Sequence, residues 1–495
     1  MSGDSAIFEA LALVTSPMML LVIGLSVVGG IIVGAIPGLT ATMALALLIP
    51  VSYSLPPDQG IAMMVAVYVG GISAGALTAI LIRMPGTPAA VATVADGFPM
   101  AQQGRAGQAI GNAVVASFAG TVISGVCLVL FAPTLADFAV KFFFSEIVAV
   151  AIFGLTAVIA VSGKSLSRGL FTALLGMLVA TFGMSTVDGI SRFDFGNTNL
   201  QSGIGLMPML IGMFAVSQLM KTTSDTQRPS QVHLESGPIY PPLNDIAGNT
   251  TNYVRSSLIG TIIGVIPSLG SGVAGLVSYA QARNASDTPE KFGTGHVPGI
   301  IASEAANNAA IGGALIIALT LGIPGDPPTA ILLGALMIHG VDTGPMLFEN
   351  NSGLIYSIYF SLFASSVLMM LFLLAFGRYI AKVTRIPNRI LSPIIFALCV
   401  AGVFSGNNLT FDLGVMLVFG LVGFLLDRGG YPLAPFIIGF LLGPLIEDNY
   451  RRLMSIGGLD DFVTRPISAI FIALAVASVL YSFWKRKAQA KALAQ

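Results

Sequence analysis

Apolar runs long enough to cross a bilayer, about 20 residues each, recur from Pro17 to the region of Phe471 to Trp484, with only short polar segments between them. No stretch is left over that would make a separate soluble domain of useful size. A helix satisfies its own backbone inside hydrocarbon, so the pattern predicts an all-α polytopic membrane protein with short loops. Composition agrees with it: 55% of the 495 residues are hydrophobic and 9% charged, where a soluble domain carries roughly 25% charged.

Inside the apolar runs the chain carries glycines and prolines that interrupt helices, and these interruptions repeat. Gly34-Ala35-Ile36-Pro37-Gly38-Leu39 returns as Gly264-Val265-Ile266-Pro267-Ser268-Leu269, an offset of 230 (264 − 34). Met84-Pro85-Gly86-Thr87-Pro88 returns as Ile323-Pro324-Gly325-Asp326-Pro327, an offset of 239 (323 − 84). Two motifs in the same order at nearly one offset divide the chain into two related halves. The segment Thr222 to Asn252, rich in Pro, Ser, Thr and Asn, reads as an extended linker. The expected division is therefore a first membrane repeat over 1–221, a linker over 222–252 and a second repeat over 253–495.

Charge placement orients the halves, because short cytoplasmic loops collect Lys and Arg. The first basic residue is Arg83, so the first Gly-Pro hairpin, roughly Pro17 to Ser54, has neutral or acidic flanks. Its counterpart near Tyr253 to Ala282 is bracketed by Lys221, Arg228, Arg255, Arg283 and Lys291. Arg105, Lys164 with Arg168, the cluster from Arg378 to Arg389, Arg428 and the basic tail from Lys485 then fall on one side, the cytoplasmic one. The count gives a re-entrant hairpin plus about five spans in the first half and a hairpin plus about six in the second, about 11 spans in all. The two repeats are expected to be inverted, with the N-terminus outside and the C-terminus inside. Met1 to Glu9 carries Asp4 and Glu9 but no Lys or Arg, and so lacks the basic region of a cleavable signal peptide.

Non-helical backbone at membrane depth must be buried in protein or line a polar cavity. Paired breaks of this kind are the pattern of a transporter binding site at the midplane. Half-helix N-termini offer free N–H groups and partial positive charge to a carboxylate, while unwound carbonyls suit a sodium ion. The candidate substrate-binding residues are Gly38, Thr40, Thr42, Thr87, Gly270, Ser271 and Gly272, with Arg83 beside the first break. Candidate ion ligands are Glu304, Asn307, Asn308 and Asp326. Glu304 shares a helix face with Asn307 and Asn308, and oxygen-rich groups at that spacing suit a hard cation or, at Glu304, a proton. The bland readings are proline kinks with small-residue helix contacts and, at Glu304, an N-terminal helix cap plus helix-to-helix hydrogen bonds. Asp96 in Ala95-Asp96-Gly97 reads equally as a turn or cap residue.

Other chemistries find no support in the residues. There is no nucleophile paired with a base, no metal-ligand spacing at His233, His296 or His339, and no Walker-type loop, so an enzyme is not expected. Balanced charge, with 23 basic and 23 acidic residues and no basic arm, argues against nucleic acid. Cys127 and Cys399 sit far apart in apolar segments and read as small buried hydrophobes.

The motifs, taken in order, resemble the large membrane subunit of the tripartite tricarboxylate transporters. The likeness rests on Gly34-Ala-Ile-Pro-Gly-Leu-Thr40, Pro85-Gly-Thr-Pro-Ala-Ala90 with Asp96-Gly-Phe-Pro-Met-Ala-Gln-Gln-Gly-Arg-Ala-Gly107, Gly264-Val-Ile-Pro-Ser-Leu-Gly270, and Glu304-Ala-Ala-Asn-Asn308 followed by Gly322-Ile-Pro-Gly-Asp-Pro-Pro-Thr329. The resemblance implies a bacterial inner-membrane importer of di- or tricarboxylates such as citrate. It implies no cofactor, only Na+ or H+ as coupling ion, and two partners: a small membrane subunit of about four spans and a periplasmic solute-binding protein. Ser268 stands where the first tip has Gly38, a departure from symmetry between the two tips. The rival reading is a pore-lining channel or scaffold subunit without gradient coupling.

Overall fold

The computed structural model describes residues 3–36, 39–161, 165–185, 188–224, 239–267, 269–383 and 388–493. Among them the chain is helical apart from one short antiparallel ribbon, in which Gly183–Met184 pairs with Ser191–Arg192. Among the described residues seven helices are long and apolar enough to cross a bilayer: Pro17–Gly34, Pro57–Ile82, Ala106–Ala139, Val297–Leu321, Ser352–Ile380, Ile390–Asn407 and Thr410–Arg428. Six shorter apolar helices accompany them. The protein is an integral, all-α polytopic membrane protein.

Two of the long helices, Pro57–Ile82 and Val297–Leu321, are enclosed along their whole apolar length, whereas Ile390–Asn407 is mostly exposed. These two central helices form the axis of the fold. Helix start signals are local: Pro17 and Pro57 occupy first-turn positions whose N–H groups need no partner, and the Ser16 hydroxyl caps its helix by accepting from Met19 N at 3.3 Å.

Each central helix receives one arm of a helical hairpin. The first hairpin has arms Pro17–Gly34 and Ala41–Tyr53, the second Thr250–Val265 and Gly270–Asn284. Gly30 and Gly34 lie against the carbonyl oxygens of Val67 and Gly71, and Gly260 and Gly264 lie against those of Ala306 and Ala310. A Cβ at any of the four would overlap the oxygen it faces. The glycines are related by the offset of 230 (260 − 30) and their partners by 239 (306 − 67), so the sequence offsets reappear as one packing contact made twice.

The central helices also stop alike. The first ends at Arg83 with φ 58° and the second at Gly322 with φ 69°, again 239 residues apart (322 − 83). Gly pays nothing for this left-handed turn, while Arg adopts it at a cost of about 1 kcal/mol. Thr87 then precedes a short 3-10 helix, Pro88–Val91, and Asp326 precedes the helix Pro327–Ile338.

Of the segment read as a linker, 225–238 lie outside the described residues, Leu243–Ala247 is a short helix, and Thr250 already begins the second hairpin. The helix preceding that segment contains one π-turn over Ile211–Val216. The ribbon is tied to the helix Leu433–Ile456 by Arg192 to Glu447 at 2.8 Å and Arg451 to Asp188 at 2.7 Å. The Ser185 hydroxyl and then Arg451 hold the Asp188 carboxyl down at about 2, so this tie is complete above the ordinary carboxylate range and is lost as pH falls through about 2.

Overpacking a tight backbone contact costs about 1–3 kcal/mol or more. Gly264→Val is therefore expected to lower the unfolding temperature and folded yield in detergent, while Gly29→Ala, which meets nothing within 4 Å, leaves both unchanged; thermal unfolding followed by size-exclusion chromatography reads the difference.

Candidate functional site

The broken helices and the hairpin tips meet in the buried interior. A methyl group on Gly272, just past the tip of the second hairpin, would stand 3.0 Å from the Pro88 carbonyl oxygen in the first break. One on Gly270 would stand 3.4 Å from Asp326 Cβ in the second. The Gly34 carbonyl lies against Gly86, and the Gly264 carbonyl is 2.9 Å from where a Gly325 Cβ would be. The second tip thus touches both breaks, and each first arm ends on the break of its own half.

Of the sequence candidates for substrate, Thr87, Gly270 and Gly272 come together here, and Ser271 is buried beside them. Thr40 caps the second arm of the first hairpin, its hydroxyl accepting from Met43 N at 3.2 Å, and Thr42 follows it, buried. Gly38 lies outside the described residues, as do Pro37 and Ser268. Arg83 is exposed, with its guanidinium 5.7 Å from the Phe98 ring centroid. The partial positive charge of half-helix N-termini, at Thr42, Gly270 and the two breaks, is what this interior offers an anion.

The two breaks carry different chemistry. Asp326 closes a capping box: Oδ1 accepts from Thr329 N at 3.0 Å and from the Thr329 hydroxyl at 2.9 Å, while that hydroxyl accepts from Asp326 N at 2.9 Å. Its other oxygen, Oδ2, accepts from the Tyr68 hydroxyl at 2.5 Å, across from the first central helix. Thr87, the matching residue of the first break, makes no capping bond, and its buried hydroxyl has no partner among the described residues. Sequence reasoning missed Tyr68. The signal was available in the repeat, since Tyr68 matches Asn307 at the offset of 239 (307 − 68).

Glu304 is wholly buried on the second central helix. It accepts from the Thr93 hydroxyl, from Ser117 Oγ at 3.2 Å and from Asn307 Nδ2 at 3.4 Å. All three donors are neutral, and no Lys, Arg or His among the described residues forms an ion pair with it. Asn308 donates instead to Ser73 Oγ at 2.7 Å and Thr121 Oγ1 at 3.2 Å. Asp326 stands at the other break, on Tyr68, and so apart from this hydrogen-bonded group.

Asp96, left open between turn and cap, is a hub between the halves. Its Oδ1 accepts from Gly293 N, Gly295 N and His296 N at 2.8 to 2.9 Å, and its Oδ2 from the Tyr279 hydroxyl at 2.8 Å. The carboxylate sits in a nest of amides at the N-terminus of the second central helix, where its charge is favoured. Gln103 and Arg105 add bonds to Thr294 O at 2.7 Å and Gly295 O at 3.1 Å.

A family model described as the tripartite tricarboxylate transporter TctA family matches residues 20–438, a span that includes nearly all of the first hairpin, the second hairpin, both breaks and Glu304. The chain belongs to that family. A protein of Agrobacterium vitis described as "Uncharacterized 52.8 kDa protein in TAR-I ttuC' 3'region" is 34% identical over 453 residues, 91% of this chain and 90% of the relative. A second from the same organism, "Uncharacterized protein in TAR-II ttuC' 3'region", is 36% identical over 223 residues, 45% of this chain and 92% of the relative. No solved structure matches. Membership of the TctA family makes the chain a component of a multi-subunit transporter, and the convergence of breaks and tips gives that transporter subunit a buried candidate site.

Removing the Asp96 carboxylate strands three amide donors in the TctA-family fold, a loss of about 3 kcal/mol or more. Asp96→Ala is expected to lower the unfolding temperature and to raise hydrogen exchange across 293–296; unchanged exchange there would show that the nest does not hold the loop.

Proposed function

We propose that this subunit imports di- or tricarboxylates, citrate among them, across a bacterial inner membrane by secondary active transport. The observation that carries the reading is the contact of the second hairpin tip with both helix breaks inside an enclosed core. Substrate carboxylates take the N–H groups at the tips and breaks, with hydroxyls of Thr40, Thr42, Thr87 and Ser271 as added donors. The energy comes from an ion gradient, Na+ in the first place, with Glu304, Asn307, Asn308 and Asp326 as candidate ligands. Membership of a tripartite system supports two partners, namely a small membrane subunit of about four spans and a periplasmic binding protein that delivers the substrate.

The halves 1–221 and 253–495 are inverted repeats in this proposal, with the N-terminus periplasmic and the C-terminus cytoplasmic. The paired contacts of Gly30 and Gly34 and of Gly260 and Gly264 with their central helices support a repeat, and the distribution of Lys and Arg supports its inversion.

Vesicles holding this subunit, the small membrane subunit and the binding protein are expected to accumulate radiolabelled carboxylate uphill only under an inward sodium gradient. Downhill flux alone would favour a channel or scaffold. In a background without Cys127 and Cys399, Ser54→Cys and Asn284→Cys are expected to react with a membrane-impermeant thiol reagent from opposite faces; labelling from one face would end the inversion.

A further inference from the structure

The two halves place equivalent residues at equivalent breaks, yet one break is closed and the other is not. In the closed one, Tyr68 of the first central helix donates to Asp326 of the second break, and Thr329 saturates the remaining carboxylate oxygen. The residues that match this pair by the offset of 239 are Asn307, for Tyr68, and Thr87, for Asp326. Both carry a buried oxygen, Asn307 Oδ1 and Thr87 Oγ1, without a hydrogen-bond partner among the described residues. A third such oxygen, Asn308 Oδ1, lies one residue on.

Hydrogen-bond directions fix which atoms are free. Ser73 Oγ already donates to Val69 O at 2.8 Å and Thr121 Oγ1 to Ser117 O at 2.9 Å. Both hydroxyls can therefore only accept from Asn308, so its NH2 end faces them and its carbonyl oxygen points elsewhere. Asn307 likewise turns its NH2 end toward the Glu304 carboxylate, leaving its own carbonyl oxygen free. Buried oxygens left without a donor destabilise the fold, and a buried carboxylate with only neutral partners does so more strongly. Acceptor oxygens and one unneutralised carboxylate on a single turn of helix make a ligand set for a hard monovalent cation. The Asp326 carboxylate also has only neutral donors, Tyr68 and Thr329, but neither of these partners carries an unpaired oxygen.

We infer that the coupling cation binds on the first-break side of the second central helix, between the Glu304 carboxylate and the free amide oxygens of Asn307 and Asn308, and that Asp326 is no ligand but a latch closed by Tyr68. The inference rests on the transporter reading above and divides its ion candidates into three ligands and one positioning residue. Tyr68 holds the second break against the first central helix, so that the hairpin tip at Gly270 meets a fixed surface while the cation is taken up at the other break.

The test is thermal unfolding of the purified subunit in detergent, titrated with sodium chloride against potassium chloride at constant ionic strength. Sodium is expected to raise the unfolding temperature with a saturable midpoint. Asn308→Ala and Asn307→Ser are expected to raise that midpoint about tenfold or more. Tyr68→Phe is expected to lower the unfolding temperature at every salt concentration while keeping the sodium midpoint within about twofold. Should Asn308→Ala fail to fold, Asn307→Ser supplies the same reading, since it keeps a polar side chain on the helix while removing the free carbonyl oxygen together with the amide donor to Glu304. A wild-type protein stabilised equally by both salts, a stabilisation that follows pH and ignores sodium, or a tenfold midpoint shift in Tyr68→Phe with none in Asn307→Ser would each overturn the assignment. These readings need no transport, so loss of gradient-driven uptake in assembled vesicles bears on the transporter reading alone.

Discussion

Backbone pressed against backbone is the contact on which this fold depends. Helices that stop inside hydrocarbon leave amides and carbonyls that water cannot reach, and here those ends are enclosed by bringing the hairpin arms within touching distance of two buried helices. Gly30, Gly34, Gly260 and Gly264 permit that approach by having no side chain. Lipid tails are as apolar as Leu, so close packing, not exclusion of water, must hold such arms in place. The orphaned groups of the breaks are then met locally, as where Asp326 N donates to Thr329 Oγ1 and Gly86 N to Gly75 O at 3.4 Å.

A second constraint is the handling of charge in the interior. Among the described residues five carboxylates are buried, Asp96, Glu146, Glu304, Asp326 and Asp412, and the three that lie by the breaks and the second central helix are each treated differently. Asp96 is wrapped by amides at a helix N-terminus and serves as a fixed join between the loop after the first break and the entry of the second central helix. Asp326 is capped and latched by neutral hydroxyls and one amide. Glu304 takes only neutral donors, and Asn307 and Asn308, whose amide oxygens are unpaired among the described residues, follow it three and four positions on. In the proposed reading, stationary joins are thus kept apart from an exchangeable ion site within one core, in keeping with alternating exposure of a fixed site.

The periphery has a simpler task. Helices such as Ile390–Asn407 and Thr410–Arg428 present large apolar side chains outward, as a lipid-facing wall does, and the ion pairs Arg192–Glu447, Lys221–Asp427 and Arg451–Asp188 sit at exposed or half-buried edges, where each contributes little to stability. An apolar crevice of about 550 Å³ runs between the first hairpin and the helix Asn388–Asn407.

Hydrophobic runs alone determined the class of this protein, because burying that much apolar surface in water-soluble form is not open to a chain with 9% charge. Glycine and proline in those runs marked the hairpins and breaks, since both residues act through local backbone sterics that need no partner to be read. The offsets even carried the pairing of Arg83 with Gly322 and of Tyr68 with Asn307. Which residues bond across the halves was decided only by the tertiary structure. Tyr68 meets Asp326 over 258 positions and Asp96 meets Gly293 over 197, separations at which no periodicity survives. The direction of an amide is likewise set by what its neighbours have already donated, so the free oxygens of Asn307 and Asn308 became visible only once Ser73, Thr121 and Glu304 stood around them.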